Sequence, residues 1–126
     1  VKAYYLPLYT SIYSQSEHRR NALTSTVSIR NVMQSQSIFL HRADLFNTEG
    51  EKIKSYIAEG QVKLSPLETI EIVLGKDWGK AGSGGNFIFE FHLPEIADAP
   101  LIEAVMISTS GQQGLSFSSR AVEVQY

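Results

Sequence analysis

Phe87, Phe89 and Phe91 stand at alternate positions in the segment NFIFEFH, with Ile88 and Glu90 between them. A period of two sends successive side chains to opposite faces of a strand, so one face of this segment is a continuous stripe of rings. A single sheet cannot bury such a stripe, and a second layer must cover it. The stripe begins directly after Gly79-Lys80-Ala81-Gly82-Ser83-Gly84-Gly85, a glycine-rich turn that can adopt backbone angles closed to other residues.

The same short period recurs along the chain. Leu23, Ser25, Val27 and Ile29 share one face, and Thr24, Thr26, Ser28 and Arg30 share the other. From Ile38 to Phe46 the alternation slips, because Ile38 and Leu40 have one parity and Ala43 and Leu45 the other; a β-bulge near His41-Arg42 accounts for it. Asn47-Thr48-Glu49-Gly50 predicts a hairpin turn, followed by a strand from Lys52 to Ile57. Residues 67 to 74, LETIEIVL, predict another strand, with Ile70, Ile72 and Leu74 together. A Pro-bounded crossover with one helical turn is expected over HLPEIADAP, then strands over residues 101 to 108 and 115 to 126. At the start, residues 3 to 13 hold Tyr4, Tyr5, Tyr9 and Tyr13 around Pro7, which suits an edge strand or a bulged one, and SQSEHRRN is expected to be a loop. About seven or eight short strands separated by Gly, Pro, Asn and Ser turns predict an all-β fold. The expected form is an antiparallel β-sandwich of immunoglobulin or fibronectin type, as one domain over residues 1–126.

A chain of this length buries roughly two-thirds of its unfolded surface and needs no staples. It contains no cysteine, which excludes disulfides, a thiolate nucleophile and any zinc site built on sulfur. The formal net charge of −2 gives no field that would draw nucleic acid, and no apolar run approaches the roughly 20 residues of a membrane helix. The first residue is Val, so the chain is expected to be processed, as by removal of an export signal, or to be cut from a longer one.

Several residues could carry function. The glycine turn, with Lys80 and Ser83, could cradle an anion; however, it leads into a strand and lacks phosphate-loop spacing, so the plainer reading is a sheet-crossing loop. Glu90 and His92 point away from the phenylalanines, and His41 would meet them if its strand were a neighbour, giving a possible divalent-metal set. Glu103 lies among apolar residues of its own parity, either as a buried acid or paired with Arg30 or Arg120. No GxSxG elbow is present among the many serines, and no cofactor is expected. Tyr5 and Tyr9 could offer aromatic contact area to a sugar or peptide, or simply cover the side of the sandwich. Finally, Ser83, Asn86, Gln112, Gln113 and Ser116 would form an uncharged polar rim if their loops meet at one end, suited to a neutral ligand or a peptide backbone.

VSIRN at Val27 to Asn31, GSGGNFIFEF at Gly82 to Phe91 and IEAVMISTSGQQGLSFSSR at Ile102 to Arg120, with the opening YLPLYTSIY, make the chain resemble a small bacterial family known only as a domain of unknown function. The resemblance spans nearly the whole chain. It implies an exported domain, periplasmic or lipid-anchored, and brings no activity or catalytic residue with it. The function expected is a non-enzymatic binding module of the cell envelope, presenting loops or an edge strand to a protein, peptide or glycan. Two alternatives remain open: a metal-dependent or hydrolytic enzyme using Glu90 and His92 with His41 or Glu103, and a structural subunit of a homo-oligomer joined through the Pro7 strand.

Overall fold

The computed structural model describes residues 1–14, 16–75, 79–108 and 114–126, and the side chains of all of these except 13, 14, 16–21, 79 and 80. Two antiparallel sheets face each other. The first has the strand order β12-β1-β9-β5-β6, with β7 also pairing with β5, and the second has the order β11-β10-β4-β8. In the first sheet are β1 (Lys2–Leu8), β5 (Ile38–Phe46), β6 (Lys52–Ser55), β7 (Val62–Leu64), β9 (Gly85–His92) and β12 (Val122–Val124). The second holds β4 (Thr24–Arg30), β8 (Thr69–Leu74), β10 (Leu101–Ser108) and β11 (Leu115–Arg120), while β2 (Ser11–Ser14) and β3 (Ser16–Ala22) form a separate hairpin. No helix among the described residues is long and apolar enough to cross a membrane.

The phenylalanine strand lies in the middle of the first sheet, paired with β1 on one side and β5 on the other. Its three rings are fully buried, Phe87 stacked on Phe89 at 5.0 Å and Phe91 meeting Tyr4 edge to face at 5.7 Å. Leu6, Leu8, Leu40 and Leu45 fill the same inner face; Leu23, Val27, Ile29, Ile102, Ala104 and Met106 oppose them from the second sheet. Burying one such ring contributes about 1.5–3 kcal/mol relative to exposure, so this strip is the largest single source of stability in the fold. Ser25 interrupts the inner face of β4, and its hydroxyl is satisfied by donating to the Tyr9 carbonyl at 2.9 Å.

Among the described residues there are twelve strands, more than the sequence pattern predicts. The stretch expected as a loop after Tyr13 is β3, which pairs through its backbone with β2. That hairpin has no apolar alternation to reveal it, because its ladder requires only main-chain groups. Pro7 is not on an edge strand: β1 has neighbours on both sides, although β12 reaches only residues 3 to 5. Past that point the Pro7 carbonyl accepts from Ser119 Oγ at 2.5 Å, so the proline lies where the outer ladder has already ended. The final segment is two strands, not one. It breaks at Ala121, whose N–H donates to the Ile102 carbonyl, and the chain passes there from the second sheet to the first. No helical turn forms between β9 and β10.

The immunoglobulin expectation holds for the centre of the sandwich. In that fold, strands A, B, E and D form one sheet and C, F and G the other. Here β4 and β8 take the places of B and E, and β5 and β9 those of C and F. The flanking strands are exchanged: β1 lies beside β9 where G belongs, and β10 beside β4 where A belongs.

A Cβ added at Gly85 would come within 2.8 Å of Ala81 Cβ and 3.2 Å of the Leu8 carbonyl, so glycine is needed where β9 passes under its own turn. Gly85→Ala is expected to cost about 1–3 kcal/mol through overpacking, and Phe89→Ala about 3–5 kcal/mol through the cavity it leaves. Urea unfolding of the two variants checks both the sizes and their order.

Candidate functional site

Three loops lie at one end of the sandwich, and a single side chain fixes two of them to each other. Asn31, buried where β4 ends, donates from Nδ2 to the carbonyls of Gln36 (2.8 Å), Ser65 (3.1 Å) and Leu64 (3.2 Å), while its Oδ1 accepts from the Met33 amide at 3.0 Å. The loop over residues 31–37 is thereby tied to the end of β7 and the turn after it. That turn, Ser65-Pro66-Leu67-Glu68, closes with Glu68 N–H donating to the Ser65 carbonyl at 3.0 Å, and the Leu67 amide donates to Met33 at 3.1 Å. The third loop, residues 93–100, borders the first across an open cavity of about 400 Å3, which Val32, Met33, Gln34, Ile96 and Asp98 help to line.

This end exposes aliphatic side chains that the fold does not require outside. Ile96 is 86% exposed, Leu67 64% and Val32 40%. Leu67 also has φ of 64°, the left-handed conformation at the third position of a turn where glycine is the usual residue. A non-glycine residue there costs about 1–2 kcal/mol.

The cluster expected around His41 does assemble, on the outer face of the first sheet. The register shifts between Leu40 and Arg42, as the slipping pattern predicts, and His41 and Arg42 both oppose Glu90. His41 Nε2 lies 3.2 Å from Glu90 Oε1, Arg42 Nη1 donates to Glu90 Oε2 at 2.5 Å, and Arg42 Nε donates to Asp44 Oδ2 at 2.7 Å. Ser55 Oγ donates to the other Asp44 oxygen. The His92 ring packs on His41 with centroids 4.4 Å apart. Both oxygens of Glu90 are thus engaged. Among the described residues no group of three His, Cys, Asp or Glu side chains is placed to hold a metal ion.

The other residues singled out in the sequence are scattered. Asn86 is half-buried on the outer face of the first sheet, opposite Pro7 and Phe46, whereas Ser116 is exposed on the second sheet opposite Ile107. The two are therefore on opposite faces and share no rim; Gln112 and Gln113 lie outside the described residues. Ser83 belongs to 3-10 turns over Gly79–Gly84 interrupted at Gly82. The amides there are already taken: Gly82 N–H donates to Thr10 Oγ1 at 2.8 Å and Gly84 N–H to Thr48 Oγ1 at 3.0 Å. Tyr5 sits between Val122 and Ile88 in the first sheet, while Tyr9 packs edge to face on Phe117 at 5.3 Å, so they form no common platform. Glu103 lies on the outer face with Arg120, 3.5 Å away. The loop-end aliphatics escaped the pattern, since Leu67 reads as the first residue of a strand. The signal available was Ser65-Pro66, because proline at the second position of a turn puts Leu67 at the third.

Burial alone would push the Asp44 carboxyl up. Hydrogen bonds from Arg42 and Ser55, with the charges of Arg42 and Lys52, outweigh it and hold the group below the ordinary carboxylate range. A lowered value stabilises the fold fully above the unfolded carboxylate's pKa of about 3.9, and the contribution is lost as pH falls through the lower folded value. Asp44→Asn is expected to cost about 1–3 kcal/mol near neutral pH. Unfolding curves should show that difference shrinking once the pH is taken below the carboxylate range.

No curated protein matches the chain. The crystal structure of Thermotoga maritima 1070 is similar in fold, with a TM-score of 0.59 over 97% of this chain and 93% of that one, at 9% sequence identity. The family model described as "Protein of unknown function (DUF3124)" matches residues 1–124, and the chain belongs to that family.

Proposed function

We propose that this protein is a non-enzymatic binding module of the bacterial cell envelope that takes a protein partner at its three-loop end. The observation that carries the reading is the group of exposed aliphatics, Val32, Leu67 and Ile96, on three loops at one end, the loops of Val32 and Leu67 being tied together by the buried Asn31. Loops on a rigid sandwich are the usual place for recognition, since the sheets fix their ends while the tips stay free to vary. The cavity between them has the size that receives one large side chain. Its apolar wall is Val32, Met33 and Ile96, with Gln34 and Asp98 as polar neighbours able to meet a partner's backbone. Protein interfaces bury an apolar centre within a polar rim, the arrangement these residues offer.

The carboxylates first considered for chemistry fit this reading as well. Glu90 bridges His41 and Arg42, and Glu103 faces Arg120 on the open sheet, so each is held by a cation instead of lying in a cavity. The envelope location follows the resemblance to an exported family, and fractionating cells that make the full-length protein tests it: recovery with the cytosolic fraction would overturn the location.

The binding reading is tested by immobilising the protein and capturing proteins from an envelope extract, alongside the double variant Leu67→Gly/Ile96→Asp. Glycine suits the φ of Leu67, so Leu67→Gly should leave stability unchanged or raise it by up to about 1 kcal/mol. Loss of a specific partner from the folded double variant is the expected result. Equal retention of the same proteins by both forms would show that this end is not the binding surface.

A further inference from the structure

The sandwich is closed on one side by the chain itself, which runs from β11 through Ala121 into β12 and so joins the two sheets. On the opposite side the sheets end at β8 and at β6 and β7. These edges differ sharply in protection. β6 is four residues long, carries Lys52 and Lys54, and shifts register against β5; β7 is three residues with Lys63 at its centre. Short length, lysines and irregular register are the devices that keep an edge from pairing with another chain. At the other limit of the second sheet, β11 is covered by the first: Ser119 bonds the Pro7 carbonyl and Phe117 packs on Tyr9.

β8 has none of these devices. TIEIVL is six residues of strong strand formers without Lys, Pro or a register shift, and among the described residues it pairs only with β4. The direction of its free groups follows from the ladder. Asn31 N–H donates to the Glu68 carbonyl, and residues in an antiparallel pair alternate between bonded and non-bonded positions. Ile70, Ile72 and Leu74 therefore turn their main-chain groups toward β4, and Thr69, Glu71 and Val73 turn theirs outward. Val73 is also 64% exposed, while Ile70 and Ile72 are only partly buried against the core.

We propose that the β8 edge is a strand-addition site for an extended segment of a partner protein that carries Lys or Arg opposite Glu71. Such a segment would bond the outward N–H and C=O groups of Thr69, Glu71 and Val73, and its alternate apolar side chains would cover Ile70 and Ile72. Glu71 selects the occupant. If a second copy paired with this edge in the antiparallel register that bonds all three outward residues, Glu71 would face its own counterpart, and like charges directly opposite are destabilising. A basic residue at that position is favoured instead. The edge begins two residues after Leu67, so the added segment would run out toward the loop end. The inference deepens the binding-module reading with a second surface that does not depend on Ile96.

The test uses a random heptapeptide library as the probe, selected on the immobilised protein, with hydrogen exchange read by NMR. Enriched peptides should alternate apolar residues around Lys or Arg. When bound, they should slow exchange of the Thr69, Glu71 and Val73 amides by about tenfold or more and leave Ile70, Ile72 and Leu74 unchanged. Val73→Pro removes an outward N–H and spares the β4 ladder, so it should abolish binding. Glu71→Lys, which keeps the backbone intact, should switch the selected central residue to Asp or Glu. Failure to enrich any peptide, binding that survives Val73→Pro, or protection elsewhere would overturn the proposal. Dimerisation through β8, seen by light scattering and reversed by Val73→Pro, would replace the partner segment with a second copy and overturn it too. Each outcome is separate from the Leu67→Gly/Ile96→Asp capture, which reads the loop end alone.

Discussion

The burial of Phe87, Phe89 and Phe91 between two sheets is the constraint on which the rest of this molecule depends. β9 can present three rings to the interior only because β1 and β5 pair with it on both sides and leave none of its main-chain groups toward the core. The rings then need a facing layer, and β4 and β10 provide it with Val27, Ile29, Ile102, Ala104 and Met106. The strand's start is equally constrained. Gly85 passes so close to Ala81 and Leu8 that no side chain fits, and Thr10 and Thr48 hold the preceding turn by taking the amides that its glycines leave free. What looks like an anion cradle is a fastening between the turn and the two loops beside it.

With the centre fixed in this way, the two ends of the sandwich are put to different uses. At the glycine end, Thr10 and Thr48 are consumed in holding the turn. At the opposite end Asn31 plays the same fastening role, but the two loops it binds leave Val32 and Leu67 in solvent, beside Ile96 on the third loop. Leu67 is both exposed and held in a left-handed turn. The outer face of the first sheet shows the contrary arrangement. There the bulge at His41 gathers a histidine, an arginine and two carboxylates into a network in which both carboxylates are held.

Much of this was legible from residue order. The period of two identified β4, β5, β8, β9 and β10, and the slip between Leu40 and Ala43 located the bulge, because a bulge reverses the parity of every later side chain in the strand. From the bulge and the position of Glu90 and His92 on the outer face, the meeting of His41 with both was a correct conditional expectation. Elements that lack an apolar period were not legible. β3 carries no apolar alternation in SEHRRNA, and β7 is too short for alternation to register. The break at Ala121 was hidden because the alternation through Phe117, Val122 and Val124 does not show a change of sheet.

By itself, then, the sequence determined an all-β sandwich with the phenylalanine strand in its core, since side-chain alternation is a local property that survives without knowledge of neighbours. Only the tertiary structure decided which strands are adjacent, and with that everything that depends on adjacency. It separated Asn86 from Ser116, joined Glu90 to His41 and Arg42, left β8 as an edge, and brought the loops of Val32, Leu67 and Ile96 to one end. Strand order is set by how the chain crosses between sheets to close a single core, and no residue pattern within one strand encodes that choice.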